Sequence, residues 1–402
     1  MRVAVVGAGA SGLFVSGLLA QSGIDVVCYE KNEKQGKKLF ITGKGRCNFT
    51  NKCSVEDFLK NVVHGDKFLK SALYNFSSDD AFSYFENLGL ACKVERGNRA
   101  FPESDKSSDV IKILRDVHCK GVEFRLCDEV LSITKDDKFH VVSASKTDEF
   151  DKVVIATGGV SYRSTGASDS GYKFAKAFGH KIIPAKASLC PIVIKNWFVS
   201  KLQGVSLKNV QLNVVADGKK FSEFGEMLFT DKGISGPIAL TTSCLINRAE
   251  NVALSLDFKP ALSEKQLDLR LLRDFEANKN RDLKTVLKGL LPFSVAGIFA
   301  KVIGLDENKK IHDITKQERS LLLQGLKDFK LIYGGLYDID TGIVTSGGVC
   351  TDEINPKTME SKICHGLFFL GEVLDVDAFT GGFNLQIAWS TAFACAKCLR
   401  GW

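Results

Sequence analysis

The sequence predicts an α/β fold assembled from both ends of the chain around an inserted segment. Three observations predict it. A strand, a glycine-rich turn, a helix and a second strand follow one another within about thirty residues at the start of the chain. Two further short apolar strands end in glycines, at residues 153–159 and 367–371. Between them, residues 184–330 change first to β-branched, alternating runs and then to Leu, Lys, Glu and Arg at helical spacing.

The individual elements follow from local periodicity. Residues 2–6 read as a short buried strand, residues 11–22 have the apolar spacing of a helix, and residues 24–29 form a second strand. The remaining elements of the two ends are, in order, helices over 79–88 and 107–119, a β-meander over 122–126, 130–134 and 139–144, strands over 153–156 and 367–370, and a final helix over 384–400.

Composition narrows the class of protein. Of the 402 residues, 45% are hydrophobic and 25% are charged, which is ordinary globular composition. No apolar run approaches the ~18 residues that cross a bilayer, and the early glycines interrupt what could otherwise imitate a secretory signal. The 12 Cys are scattered, which predicts reduced thiols in a cytoplasmic protein, with Cys395 and Cys398 packed in a core. The six His do not cluster with Cys, so we expect no metal site.

The first turn fits a nucleotide-binding fingerprint. The run from Gly7 to Gly12 matches G-x-G-x-x-G directly after a strand. Gly7 permits the tight turn, Gly9 lets a pyrophosphate approach the backbone, and Gly12 allows close packing of helix and strand. Glu30 closes the second strand, 18 residues beyond Gly12, where a carboxylate accepts hydrogen bonds from ribose hydroxyls. These features together predict a Rossmann-type dinucleotide site, but they do not separate NAD from FAD.

Two later segments favour FAD. Residues 151–159 form an apolar strand ending in Ala-Thr-Gly-Gly, which resembles an element of the glutathione-reductase-like flavoproteins. Residues 366–372 resemble the late strand of those proteins, which ends in Gly-Asp near the ribityl and pyrophosphate groups. Glu372 stands here in place of the usual Asp, so the carboxylate is retained on a longer arm.

Longer motifs extend the resemblance to nearly the whole chain. They are Gly43-Lys-Gly-Arg-Cys-Asn48 with Thr50-Asn51, Arg99 to Lys106, Met227 to Pro237, Gly371 to Asp377 and Gly381 to Gln386. With these motifs the sequence resembles the YhiN/BaiN-type flavoprotein family. The resemblance implies a discontinuous FAD-binding domain over 1–185 and 341–402. It further implies an inserted β-barrel-like domain over 186–260 and 330–340, and a small helical domain over 261–329.

The resemblance also implies that residues 44–48 wrap the flavin and that residues 382–385 present a helix N-terminus to it. From the motifs and the resemblance together, we expect FAD to be bound by Gly7, Gly9, Ala10, Ser11, Gly12, Glu30, Lys31, Lys38, Lys44, Gly45, Arg46, Cys47, Asn48, Val130, Ala156, Thr157, Gly158, Gly159, Gly371, Glu372, Asp377, Gly382, Phe383, Asn384 and Leu385.

The sequence offers fewer candidates for catalytic residues than for FAD-binding residues. A positive charge at Arg46 or Lys44 would stabilise an anionic reduced flavin, whereas the alternative is a solvated surface charge. Cys47 could donate a proton to a reduced carbon, or it could simply be a small packing residue. The sequence departs from the family at Asp231, where His is usual, and at Arg163, where Pro is common. These departures bear on the substrate and not on FAD.

The expected reaction is transfer of hydride from reduced flavin to an electron-poor C=C. The chain has no second G-x-G-x-x-G, so NAD(P)H would be a transient donor at most. The resemblance leaves the substrate open between a small molecule and a uridine in ribosomal RNA. The net charge of +7 and the basic stretches over 31–46 and 279–288 give RNA some support, but solvated faces are the more ordinary explanation of such Lys-rich stretches. An amine oxidase using oxygen and a non-catalytic FAD-binding protein are the alternatives.

Overall fold

The computed structural model describes residues 1–401, and its elements are numbered in chain order. The strands are β1 (Arg2–Val6), β2 (Asp25–Glu30), β3 (Thr50–Asn51), β4 (Val62–His64), β5 (Cys92–Glu95), β6 (Arg99–Pro102), β7 (Glu123–Leu126), β8 (Val130–Lys135), β9 (Phe139–Ser143), β10 (Thr147–Phe150), β11 (Lys152–Ile155), β12 (Ile182–Ser188), β13 (Ile192–Ile194), β14 (Ser206–Ala216), β15 (Lys219–Phe229), β16 (Gly233–Ser235), β17 (Val252–Asp257), β18 (Phe329–Leu331), β19 (Tyr333–Leu336), β20 (Val344–Val349), β21 (Leu367–Phe369) and β22 (Asp377–Ala378).

The helices are α1 (Ala10–Ala20), α2 (Lys37–Ile41), α3 (Val55–Leu59), α4 (Asp66–Asn75), α5 (Ser78–Asn87), α6 (Ser107–Ile113), α7 (Ser170–Ala177), α8 (Pro237–Ile246), α9 (Glu264–Glu276), α10 (Leu283–Leu287), α11 (Phe293–Val302), α12 (Lys316–Lys327) and α13 (Phe383–Arg400). A π-helical turn, Leu114–His118, continues α6. By contacts, the chain divides into a first unit, residues 1–188 with residues from 338 onward, and an inserted unit, Leu189–Tyr337.

The first unit is built on a parallel sheet in the order β21-β11-β1-β2-β7. In the centre, Val5 pairs with Val154 on one side and with Cys28 on the other, and all three are fully buried. Strands buried on both faces need apolar side chains on both, which is why β1 and β11 read as continuous apolar runs. Because β21 pairs with β11, the two ends of the chain share one sheet. The predicted α/β fold class is confirmed.

The predicted β-meander is wrong in its first strand. β7 joins the parallel sheet beside β2, and only β8, β9 and β10 form the antiparallel sheet. The residue after β7, Cys127, has φ +54°, and its N–H donates to the carbonyl of Asn32. This left-handed residue redirects the chain between the two sheets, a change that alternating hydrophobicity alone does not reveal.

The inserted unit contains a seven-stranded antiparallel sheet in the order β18-β17-β14-β15-β16-β13-β19. Helices α9 to α12 add side chains such as Leu271 and Phe299 to the same buried cluster as Phe258 and Phe329 of the sheet segment. The division of this region into β and helical domains stays a prediction. In the structure, both parts contribute to one core.

Candidate functional site

The predicted motifs lie at the carboxyl ends of four neighbouring parallel strands. β1 is followed by Gly7, β2 ends at Glu30, β11 runs into Ala156 and β21 leads to Gly371. In open parallel sheets, this edge is where ligands bind. The sheet therefore brings together motifs that lie at opposite ends of the sequence.

The turn after β1 leaves an open approach to the start of α1. Gly7 has φ +103°, and a Cβ there would lie 2.6 Å from the carbonyl oxygen of Ala156, so only glycine fits. A Cβ on Gly9 would meet no atom within 4 Å, so the backbone is accessible there. Helix α1 has no side-chain N-cap and no acidic residue in its first turn. Its N–H groups and positive dipole end thus suit an anionic group.

Glu30 is held beside this turn by backbone donors. Its Oε2 accepts a hydrogen bond from the N–H of Ala8 at 3.0 Å, and its Oε1 accepts from the N–H of Asn32 at 2.9 Å. The carbonyl of Glu30 accepts from the N–H of Asp128, which brings the start of β8 at Val130 to the same edge. A carboxylate fixed here is placed to accept hydrogen bonds from ribose hydroxyls.

Glu372 is the centre of a second polar cluster. Its two oxygens lie 2.9 and 2.8 Å from Nζ of Lys38, and Oε1 also accepts from the N–H of Thr345 at 2.8 Å. Lys38 donates in addition to Oγ of Ser161 at 2.9 Å. A Cβ on Gly159 would lie 3.0 Å from Oε1, so the carboxylate sits against the second glycine turn. The longer arm of Glu372 is therefore fixed by a cation and a backbone donor.

The segment from Gly43 to Asn48 has an unusual backbone. Lys44 and Cys47 have φ of 59° and 58°, in the left-handed region that costs a non-glycine residue of order 1–3 kcal/mol. Strained residues of this kind concentrate at ligand sites. Lys44 is exposed, and within residues 1–401 it has no ion-pair partner.

Arg46, by contrast, is engaged by neighbouring residues. Its Nε donates to Asp105 at 2.8 Å, its Nη2 contacts Glu95, and the guanidinium lies 4.2 Å from the ring centroid of Phe101. Two carboxylates thus compensate its charge. The predicted electrostatic role toward reduced flavin stays a prediction for Arg46, and Lys44 is the uncompensated cation of the segment.

Cys47 is fully buried and its N–H donates to the carbonyl of Thr42. Burial raises the pKa of the Cys47 thiol to about 12, so the group is neutral across the ordinary pH range. A side chain without accessible surface does not line a ligand cleft. Catalysis by Cys47 stays a prediction, and the geometry favours the packing alternative.

Helix α13 presents a second open N-terminus. It begins at Phe383 without a side-chain N-cap or an acidic residue in its first turn. The side chain of Asn384 accepts from the N–H of Ala378 at 3.0 Å and donates to the carbonyl of the same residue at 2.8 Å. Oδ1 of Asn48, which a Cβ on Gly382 would approach to 2.9 Å, is buried with no partner among the described residues.

The carboxylate of Asp377 is occupied by protein groups. Its Oδ1 lies 2.6 Å from Nδ1 of His64, and its Oδ2 accepts from Oγ of Ser188 at 2.9 Å. Contact of Asp377 with the cofactor stays a prediction. His64 was not identified from the sequence, because it lies outside every motif and no local spacing relates it to a residue 313 positions away.

Burial divides the predicted cofactor residues into two groups. The buried ones are Ser11, Gly12, Cys47, Val130, Ala156, Gly159, Gly371, Asp377 and Phe383. Those with at least partial exposure are Gly7, Gly9, Ala10, Glu30, Lys31, Lys38, Lys44, Gly45, Arg46, Asn48, Thr157, Gly158, Glu372, Gly382, Asn384 and Leu385. The second group therefore has more accessible surface through which a ligand can be bound.

The two departures from the family motif have partners of their own. In the inserted unit, Oδ1 of Asp231 accepts from the hydroxyl of Tyr337 at 3.2 Å. In the first unit, Arg163 lies 3.6 Å from Asp340 and follows Tyr162, whose φ is +57°.

These features fit FAD. Two uncapped helix N-termini offer N–H donors to phosphate and flavin oxygens, Gly9 leaves room for close approach, and Glu30 supplies a ribose acceptor. The buried, unpaired Oδ1 of Asn48 marks a further polar contact near α13. Fold and site together define a Rossmann-type FAD-dependent oxidoreductase.

The chain belongs to the HI0933-like family: the model "HI0933-like protein Rossmann domain" matches residues 1–398. The resemblance stated from the motifs is thereby confirmed.

A ribosomal RNA dihydrouridine synthase of Escherichia coli (strain K12) is 35% identical over 98% of this chain and 96% of the relative. A 3-dehydro-bile acid delta(4,6)-reductase of Clostridium scindens is 28% identical over 98% of both chains. A flavocytochrome c3 fumarate reductase in its open conformation superimposes with a TM-score of 0.51 at 17% identity, covering 99% of this chain and 78% of that one, and supports the fold alone.

Three further observations concern membranes, metals and thiols. None of the helices in residues 1–401 has the length and apolar character needed to cross a membrane. The same residues contain no group of three or more His, Cys, Asp or Glu placed to hold a metal ion. The 12 cysteines, including Cys395 and Cys398, are free thiols.

Proposed function

We propose that this enzyme reduces the C5=C6 bond of a uridine in ribosomal RNA to give dihydrouridine. The observation that carries the proposal is the 35% identity to the E. coli ribosomal RNA dihydrouridine synthase over 98% of the chain. C5=C6 is conjugated to the C4 carbonyl, so it is an electron-poor C=C of the kind expected from the sequence. FAD, when bound and reduced, supplies the hydride. The protein holds the cofactor and the base and controls access of water and protons.

The distribution of charge supports a polyanionic substrate. Residues 189–337 contain 22 Lys and Arg against 16 Asp and Glu, whereas the rest of the chain contains 32 against 31. Almost all of the net charge of +7 therefore belongs to the inserted unit. A net positive charge attracts the phosphate backbone and speeds association with it.

Both basic stretches contain compensated charges, in the second through the contact of Lys279 with Glu276 at 2.5 Å. Much of the stretch over 31–46 is compensated, since Lys38 pairs with Glu372 and Arg46 with two carboxylates. In the stretch over 279–288, Lys288 lies 4.1 Å from the ring centroid of Phe293, which is 75% exposed. An exposed ring beside a cation suits stacking on an unpaired base. We therefore assign RNA contact to residues 279–293, although a merely solvated face is the alternative.

A test of the RNA interface replaces Lys284 and Lys288 by Glu. We expect rRNA binding to weaken about tenfold, and the salt dependence of log K to fall by about 0.9 for each phosphate that the protein ceases to neutralise. The matched control replaces Lys173 and Lys176 by Glu as well; both lysines are exposed in the first unit. Filter binding at several salt concentrations measures both. Equal weakening in the two double variants would remove residues 279–293 from the proposed interface.

The test of the reaction is nucleoside mass spectrometry of rRNA from a strain lacking the gene. We expect dihydrouridine to disappear from rRNA and to return with the wild-type gene but not with Gly7→Val, because the added side chain would collide with Ala156 and block FAD binding. Unchanged dihydrouridine in the deletion strain would contradict the proposal. Reduction of a bile-acid-like enone in its place would favour the small-molecule substrate suggested by the C. scindens relative.

We further propose NAD(P)H as the transient electron donor and the cytoplasm as the location. Anaerobic stopped-flow mixing with NADH or NADPH should bleach the flavin, and reoxidation by oxygen should be slow. Reduction of the flavin by an amine, followed by fast reoxidation by oxygen with formation of hydrogen peroxide, would favour the amine oxidase. A flavin that no donor reduces would favour a non-catalytic FAD-binding protein.

A further inference from the structure

Four residues from separate parts of the first unit form one cluster around a carboxylate–imidazole pair. His64 Nδ1 lies 2.6 Å from Asp377 Oδ1, Ser188 donates to Asp377 Oδ2 at 2.9 Å, and Ser346 Oγ lies 3.4 Å from the same Nδ1. The side chain of Asp377 is 1% exposed and that of His64 is 23% exposed. The imidazole is therefore the more accessible member of the pair.

The contacts fix which ring nitrogen is available. Both side-chain contacts are made at Nδ1, and within residues 1–401 Nε2 has no hydrogen-bond partner. A hydrolytic triad would place the serine at the nitrogen opposite the carboxylate, so Ser346 is not arranged as a nucleophile. With Nδ1–H donating to Asp377, the buried carboxylate orients the ring and balances its charge when Nε2 carries a proton.

The pair lies next to the residues assigned to the flavin. Asp377 precedes Ala378, whose N–H and carbonyl both bond to Asn384 in the first turn of α13. Ser346 follows Thr345, whose hydroxyl accepts from the N–H groups after Gly159 and whose own N–H donates to Glu372. The imidazole thus contacts side chains of two segments that continue directly into the proposed cofactor site.

We propose that His64 is the catalytic residue that protonates the substrate, with Asp377 as its positioning residue. This inference rests on the proposed function. Reduction of a conjugated C=C breaks the π bond and forms two C–H bonds. The hydride, drawn from reduced FAD, adds at C6, and the proton from Nε2–H of the imidazolium adds at C5. His64 is left as a neutral imidazole and regains its proton from water.

The test uses His64→Gln in the holoenzyme, with His140→Gln as the matched control, because His140 also pairs with a carboxylate, Asp136, at 2.8 Å. We expect His64→Gln to bind FAD and to be reduced by the donor at the wild-type rate. Its reoxidation by substrate should slow by about 10²–10⁴-fold, and added imidazole should partly restore the rate. His140→Gln should behave as wild type.

A second variant tests the positioning role independently of turnover. In nitrogen-15 spectra of the neutral imidazoles, His64 should keep its single proton at Nδ1, and Asp377→Asn should abolish this preference. A wild-type preference for Nε2–H, or full turnover by His64→Gln, would overturn the inference. Failure of the proposed function is recognised separately, because the wild-type enzyme assayed in parallel would then form no dihydrouridine.

Discussion

Cys47 and Glu372 show how surroundings decide what a reactive side chain can do. The thiol of Cys47 has no accessible surface, and burial raises its pKa to about 12. The carboxylate of Glu372 keeps partial exposure and is oriented by Lys38 and the N–H of Thr345. Both residues stand in motifs that suggest function. Only Glu372 retains a surface through which a ligand can be bound.

We expect Cys47 to resist alkylation in the native protein. Because its pKa is raised, the thiol stays protonated from neutral pH up to about pH 10, and burial blocks the reagent as well. Cys127, which is exposed, serves as the internal control. Mass spectrometry after treatment with iodoacetamide at pH 8 measures both. Labelling of Cys47 as fast as Cys127 would show that the segment from Gly43 to Asn48 opens.

Replacing Glu372 by Gln should weaken FAD binding about tenfold. The change removes the charge that orients Lys38, and hydrogen bonds to charged groups contribute about 1.5–3 kcal/mol. Titration of the apoprotein with FAD, followed by flavin fluorescence, gives Kd. Glu33→Gln is the control, since Glu33 also pairs with a lysine, Lys37, but at the surface. Equal Kd values in the two variants would argue against a role for Glu372.

At the scale of elements, helix α1 depends on the π-helical turn after α6. Nε2 of His118 donates to the carbonyl of Phe14 at 2.8 Å, and the hydroxyl of Tyr84 donates to Nδ1 at 2.9 Å. The ring lies directly against Gly17, where any Cβ would overlap it. The neutral imidazole is thus part of the contact that holds α1 behind the glycine turn.

Stability should accordingly decline in mild acid. Burial lowers the pKa of His118 from 6.5 to about 4, so the unfolded chain binds the proton more tightly than the native one. The free energy of unfolding that neutral His118 contributes is therefore lost as pH falls from about 6.5 to about 4, and the loss is up to about 3 kcal/mol. Urea unfolding of wild type and His118→Gln at pH 7, 5.5 and 4.5 measures it. We expect a shallower pH slope in the variant; parallel slopes would assign the acid sensitivity elsewhere.

At the scale of the whole molecule, the predicted cofactor residues and the net positive charge lie in different units. The predicted FAD-binding residues all belong to the first unit, whereas the net positive charge belongs to the inserted unit. Each unit has its own buried cluster of apolar side chains. This division suits an enzyme in which one unit holds the cofactor and the other attracts a polyanion.

FAD should therefore stabilise the first unit selectively. At a free concentration of 100 Kd the gain is about 2.7 kcal/mol, which raises Tm by about 5–10 °C. Trp389 is buried in the first unit and Trp197 is exposed in the inserted unit. Two variants, each keeping only one of these tryptophans and both carrying Trp402→Phe, therefore report the thermal unfolding of each unit by tryptophan fluorescence. Identical shifts at both tryptophans would mean that the units unfold together.

The sequence by itself determined the fold class and the cofactor. The glycine turn, the helix after it and the apolar strands depend on neighbours a few residues apart, and the order in which they recur is typical of one sheet built from both ends of the chain. The segment from Gly43 to Asn48 and the start of α13 were identified instead through the resemblance of their motifs to those of the family.

Only the tertiary structure decided the state of the individual functional groups. It gave Arg46 two carboxylate partners, buried Cys47, paired Lys38 with Glu372, joined β7 to the parallel sheet and placed His64 on Asp377. Local periodicity and turn chemistry extend over a few residues. Ion pairs, burial and sheet membership depend instead on residues far away in the chain, which meet only when the protein has folded.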